Sequence, residues 1–261
     1  MINHSLRFMT VFLLREDLNF PPAELADEDG LLAVGGDLSE KRILIAYKNG
    51  IFPWYNCQPI LWWSPPKRPV IFPRFFNMSK SLFQTLKKNK YNVTFDKNFV
   101  DVINACASVP RKNSTGTWLT SEMIEAYIKL HKLGYAHSVE VWFNKKLVGG
   151  LYGVSIGKAF FGESMFTIIS NASKVATACL VEFLIQNAFY FIDCQVTNPH
   201  LLSLGAIELP RAVFLKILNE AVKKQNLSGK WKRNNDSTYH TALFLKEKLI
   251  KRKIGDATDS F

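Results

Sequence analysis

The run AHSVEVWF NK KLVGGLYGVSI GK AFFGESMF, residues 136–166, decides the fold. Three apolar segments of strand length, Ala136 to Phe143, Lys146 to Ile156 and Ala159 to Phe166, are joined by Asn-Lys and Gly-Lys pairs, which suit tight hairpins. The spacing predicts an antiparallel meander. A helix follows over about Ser170 to Asn187, with Ser170 or Asn171 as N-cap, and Tyr190 to Gln195 then returns as a buried strand. That order sets the class as α/β, more closely α+β, with a mixed, mainly antiparallel sheet. Three carboxylates, Glu140, Glu163 and Asp193, interrupt these apolar runs, and a carboxylate there must be paired, hydrogen-bonded or functional.

Upstream, Ser79 to Lys88, Lys97 to Ala107 and Ser121 to Leu133 read as helices, the last capped by Thr120 and closed by Gly134, with a short strand at Val93 to Phe95. Downstream, Arg211 to Lys224 reads as a helix and the tail past Leu245 as a basic helical end. Residues 1–63 form a distinct segment punctuated by Pro and Gly; 64–261 hold the larger domain and its basic tail. The N-terminal segment has one clear helix, capped by Ser39, striped with Ile43, Leu44 and Tyr47, and ended at Gly50. Its glycine pair Gly35-Gly36 lacks the Gly-Lys-Ser/Thr and the βαβ setting of a phosphate loop.

Composition narrows the class. With 261 residues, 48% hydrophobic and 21% charged, the chain folds around a sizeable core. Its formal net charge is +11. Lys216 to Lys253 holds eleven basic against three acidic residues, whereas the first 62 residues hold five basic against eight acidic. A basic C-terminal segment of this kind suits a polyanion, and it suits equally a solvated, lysine-rich face. Cys57, Cys106, Cys179 and Cys194 have no metal-ligand spacing and read as reduced thiols. No apolar run is long enough to span a membrane, and the N-terminus lacks a signal-peptide pattern, so the expected compartment is the cytoplasm.

The candidate chemistry lies in the same stretch. Strand alternation places Asp193 and Gln195 side by side at a strand end, a base or orienting carboxylate next to an amide that can steady a developing oxyanion. The structural alternative is an Asp that caps the strand end. Alternation likewise places Phe161, Glu163 and Met165 on one face, the lip of an apolar pocket whose carboxylate could hold an ammonium group. Here the alternative is a Glu paired with a core Arg or Lys. Trp54, Tyr55, Trp62 and Trp63, four large rings within ten residues, either stack on nucleobases or build an interface core. No Gly-x-Ser-x-Gly elbow, His-Glu-x-x-His pair or Cys-pair metal set is present.

These residues resemble the leucyl/phenylalanyl-tRNA protein transferase family. The matching segments run in family order: Gly30 to Ser39, Gly50-Ile51-Phe52-Pro53-Trp54-Tyr55, Ile60 to Pro65, Thr117-Trp118, His137 to Trp142, Leu147 to Gly153, Phe161 to Phe166, Asn171 to Lys174 and Ile192-Asp193-Cys194-Gln195. The resemblance implies a small N-terminal domain packed on a GNAT-like acyltransferase domain. It implies an aminoacyltransferase that moves Leu or Phe, and less readily Met, from aminoacyl-tRNA to the α-amine of proteins beginning with Arg or Lys, for N-degron proteolysis. Asp193 and Gln195 would be the catalytic pair and Glu163 a substrate-orienting carboxylate. Trp54, Trp118 and Tyr127 would contact the terminal adenosine, and Leu151 and Met165 would wall the amino-acid pocket. No metal or organic cofactor is implied, since the acyl group arrives activated on its tRNA. One chain suffices for such a site, so a monomer is expected. The sequence departs from the family at Pro66-Lys67-Arg68 and Asn77-Met78-Ser79-Lys80-Ser81, keeping positive charge at both. Two other classes compete: a CoA-dependent N-acetyltransferase, disfavoured because Thr167 to Ser173 has no glycine to cradle a pyrophosphate, and a non-enzymatic RNA-binding module, which would leave Glu163, Asp193 and Gln195 without work. Peptidoglycan aminoacyl transferases share the donor and are a third.

Overall fold

The computed structural model describes residues 11–108, 119–233 and 237–249. The strands are β1 (Phe12–Leu14), β2 (Leu31–Gly35), β3 (Phe52–Pro53), β4 (Leu61–Trp63), β5 (Lys67–Ile71), β6 (Asn92–Phe95), β7 (Ala136–Phe143), β8 (Lys146–Ile156), β9 (Ala159–Thr167), β10 (Phe191–Asp193) and β11 (Ile207–Pro210). The helices are α1 (Glu40–Lys48), α2 (Lys80–Lys87), α3 (Phe99–Ser108), α4 (Ser121–Lys132), α5 (Ala172–Gln186), α6 (Pro199–Ser203), α7 (Arg211–Val222) and α8 (Thr238–Lys248).

The meander forms as its turns dictate. Asn144 and Lys145 both take positive φ, 49° and 61°, the backbone of a two-residue hairpin between β7 and β8. The sheet runs β11-β5-β10-β9-β8-β7-β6, and within it the β10–β9 pair is parallel while the other five are antiparallel. This is the mixed, mainly antiparallel sheet read from the sequence. A second sheet, β1-β2-β4-β3, ends at Trp63, and the large sheet begins at Lys67. One apolar cluster joins the small sheet and α1 to α3, α4, α7 and one face of the large sheet; another packs α2, α5 and α8 on the opposite face.

Ser39, Ser79 and Thr120 accept backbone N–H bonds as N-caps of α1, α2 and α4. The N-cap position of α5 falls on Asn171, one of the two residues expected there. Asn171 has left-handed backbone, φ 71°, and no side-chain cap bond; Thr167 Oγ1 accepts the Ser173 N–H at 3.2 Å instead. Glu140, the first of the three unexplained carboxylates, is structural: it accepts from Thr94, Ser138 and the Asn98 N–H that opens α3. Burial raises its pKa above the usual carboxylate range. Cys106 and Cys179 are buried, as a reduced apolar thiol would be.

Candidate active site

β9 and β10 pair in parallel as far as Phe161 and Asp193 and then part. β9 runs on to Thr167, whereas the other chain turns away at Gln195, whose φ is 61°. A cavity of about 610 Å³ fills the wedge, walled by Ile71, Leu151, Phe160, Met165, Leu180 and Ile192, with Glu163, Gln195 and Trp54 also lining it.

The strand alternation read over Phe161, Glu163 and Met165 is corrected by a bulge. Gly153 pairs with Gly162 and Tyr152 with Ser164, so Glu163 has no partner across the ladder. Phe161 stays on the face with Tyr152, and Met165 passes to the other face opposite Leu151. Of the two glycines, Gly153 is required: a Cβ there would lie 2.2 Å from the Phe161 carbonyl oxygen. The bulge is what aims one carboxylate into the wedge while Leu151 and Met165 line its wall.

Glu163 is held on three sides. Tyr47 of α1 donates to Oε1 at 2.6 Å, the Tyr127 hydroxyl of α4 hydrogen-bonds with Oε2 at 2.8 Å, and Gln195 Nε2 donates to Oε1 at 2.8 Å. Burial pushes its pKa up to about 7, and the nearby Asp193 charge adds to the rise. Burial and the Glu163 charge push the Tyr47 and Tyr127 pKa values well above normal. Tyr127, which the resemblance gave to the adenosine, is fully buried in this role and offers no open ring face.

Asp193, expected as a base or orienting carboxylate or as a strand-end cap, does not line the cavity. Its side chain is fully buried, and Arg68 grips both oxygens, Nε to Oδ1 at 2.8 Å and Nη2 to Oδ2 at 2.7 Å. The Gln195 backbone N–H donates to Oδ1 at 2.9 Å. β10 ends at Asp193, so the pair does not share a strand face; Asp193 fixes the turn and Gln195 reaches Glu163 from it. Arg68 is itself enclosed between the rings of Phe52 and Phe214, at 4.7 and 4.5 Å, and donates from Nη1 to the Gly50 carbonyl.

Of the aromatic quartet, Trp62 and Tyr55 are core, Trp63 is half-buried, and Trp54 is 42% exposed at the cavity. Trp118 lies outside the described residues. His200 also lines the cavity, with its pKa lowered by burial and by Lys174. Among the described residues no group of three or more His, Cys, Asp or Glu side chains could hold a metal, and no helix is long and apolar enough to cross a membrane.

Sequence reasoning missed two residues here. Tyr47 passed as one more apolar-stripe residue, although a phenol on a buried stripe needs a partner. Arg68 stood only as a departure from the family pattern; the signal was an Arg directly at the head of the apolar run Pro69-Val70-Ile71-Phe72, where a charge drawn into the core needs an anion.

Residues 70–219 match the family model described as leucyl/phenylalanyl-tRNA protein transferase, and residues 36–66 match the model of its N-terminal domain. A leucyl/phenylalanyl-tRNA–protein transferase of Thermodesulfovibrio yellowstonii is 68% identical over 94% of this chain and 100% of its own length. Those of Desulfatibacillum aliphaticivorans and Syntrophotalea carbinolica are 54% and 55% identical, over 85% and 82% of this chain and 96% and 93% of their own lengths. Among solved structures, L-PGS from Bacillus licheniformis aligns at TM-score 0.37 and 10% identity over 84% of this chain and 73% of its own, too distant to bear on function. The model matches, the identity along nearly the whole chain and the built cavity agree: the chain belongs to the leucyl/phenylalanyl-tRNA protein transferase family of aminoacyltransferases.

Proposed function

We propose that the protein transfers Leu or Phe, and less readily Met, from aminoacyl-tRNA to the N-terminal α-amine of cytoplasmic proteins beginning with Arg or Lys, marking them for N-degron proteolysis. The observation that carries this reading is the apolar wedge of about 610 Å³ with one buried carboxylate, Glu163, in its lining. Leu151, Met165 and their neighbours suit a large aliphatic or aromatic side chain. Glu163 suits the ammonium group beside it. Trp54 offers an exposed ring at the cavity for the terminal adenosine, with Trp118 proposed for the same contact.

The ester donor is already activated, so alignment and charge stabilisation supply most of the rate. Gln195 steadies the tetrahedral oxyanion with the amide hydrogen not given to Glu163. Asp193, with Arg68, is a positioning residue that fixes the Gln195 turn. The proton shed by the amine goes to Glu163, the carboxyl group that lines the cavity. The chemistry calls for no cofactor and a single chain.

The test is transfer of radiolabelled Leu from charged tRNA to a peptide beginning with Arg, beside one beginning with Ala and beside labelled acetyl-CoA as donor. Label on the Arg peptide from charged tRNA is expected. Transfer from acetyl-CoA alone would place the chain with N-acetyltransferases in activity, and no transfer from folded protein would overturn the reading.

A further inference from the structure

Four oxygens in the site make three contacts that an ionised carboxylate cannot account for. Tyr47 Oη is 2.6 Å from Glu163 Oε1, Tyr127 Oη is 2.8 Å from Glu163 Oε2, and the two hydroxyl oxygens are 2.7 Å apart. Each phenol carries one hydrogen. If both hydrogens go to an ionised Glu163, the tyrosine oxygens face each other at hydrogen-bond distance with nothing between them.

A protonated Glu163 supplies the missing hydrogen. Oε1 already accepts from Tyr47 and from Gln195 Nε2, so the acid proton belongs on Oε2. Oε2–H then donates to Tyr127, Tyr127 to Tyr47, and Tyr47 back to Oε1, and all three contacts are satisfied. Both tyrosines are fully buried. The titratable and charged groups facing the ring are Tyr152 from β8, Asp193 at the end of β10 and Arg68 behind it from β5, with Cys194 and His200 on the cavity lining.

We propose that Tyr47 and Tyr127 are positioning residues that hold a proton on Glu163 in the resting site, so that the ring sets how readily Glu163 ionises to take the amine's proton. Starting from the neutral acceptor amine, the C–N bond forms and the acyl C–O bond to the ribose breaks. Once Glu163 has ionised, the one proton lost by nitrogen passes to it and from it to the departing 3′-oxygen, so Glu163 ends each turnover ionised, as it began the step. The direction of flow rests on the aminoacyl-transfer reading; the ring itself does not.

The test separates the two. Free protein labelled with carboxyl-13C glutamate is titrated by NMR, the Glu163 signal being assigned by its absence in Glu163→Gln. In Tyr47→Phe the neutral form loses two ring bonds and the ionised form loses one, so the Glu163 pKa falls, by about one unit or a tenfold change in its ionisation constant. Tyr127→Phe shifts it the same way. A rise, or no change, in both variants overturns the ring, because a carboxylate that merely loses a donor becomes a weaker acid. In the transfer assay the acid limb of kcat/KM moves down with the NMR value, with the KM for charged tRNA unchanged. A pKa that falls while that limb stays put retains the ring and overturns its part in transfer.

Discussion

Glu163 keeps a pKa of about 7 in the folded chain, against an ordinary carboxylate value of 4.5. Between those values the native state binds more proton than the unfolded chain, so stability falls as pH rises through that window and the loss is complete above about pH 7. Glu163→Gln keeps the shape and stays neutral. It is expected to be more stable than wild type at pH 8, by an order-of-magnitude 2–3 kcal/mol, and indistinguishable from it near pH 4, as thermal unfolding at the two pH values would show. Arg68 and Asp193 behave oppositely. Asp193→Asn leaves a buried guanidinium without its anion and is expected to cost about 3–5 kcal/mol, read as a large drop in thermal midpoint; the lost activity of that variant therefore reports on folding as well as on the site. At this scale the sequence made the carboxylates conspicuous because they broke apolar patterns. It hid their partners, since Tyr47 and Arg68 come from segments 116 and 125 residues away in the chain.

Among the elements, the long meander was legible because hairpin chemistry and strand alternation are local. The short β5 and β11, and the short helix α6, were not: β5 and β11 are held by each other and by β10, far apart in sequence, rather than by any local pattern. The bulge at Glu163 was equally invisible, because alternation is read residue by residue and cannot show where a ladder skips one. Its prediction is steric. Gly153→Ala forces a Cβ against the Phe161 carbonyl and the Phe160 ring, so it is expected to destabilise the protein by about 2 kcal/mol or more and to reduce transfer, whereas Ser155→Ala on the same strand is expected to leave transfer close to wild type.

Over the whole molecule, the small N-terminal sheet and the large sheet meet around Glu163 and Asp193. α1 gives Tyr47, the turn after it gives the Gly50 carbonyl to Arg68, and β3 gives the Phe52 ring, while the carboxylates come from the large sheet and Gln195 from the turn after β10. The division at 63/64, drawn from composition, falls between the two sheets; what composition could not show is that one core cluster runs through both. The net charge of +11 sets a further expectation. If charged tRNA is the donor, its KM rises steeply with salt as phosphate contacts lose their counterion-release gain, while the KM for a short Arg-initial peptide changes far less. Equal salt slopes for both substrates would contradict an electrostatic tRNA footprint.

The most direct test is the single-turnover rate of Leu transfer from charged tRNA to an Arg-initial peptide, followed from acid to mildly alkaline pH in wild type and Glu163→Gln. Wild type should show a rising limb near pH 7, and Glu163→Gln, folded and still binding charged tRNA, should be slower by about 10²–10⁴-fold and lack that limb. A Glu163→Gln protein that transfers Leu at the wild-type rate with the same pH profile would contradict the assignment of the proton to Glu163.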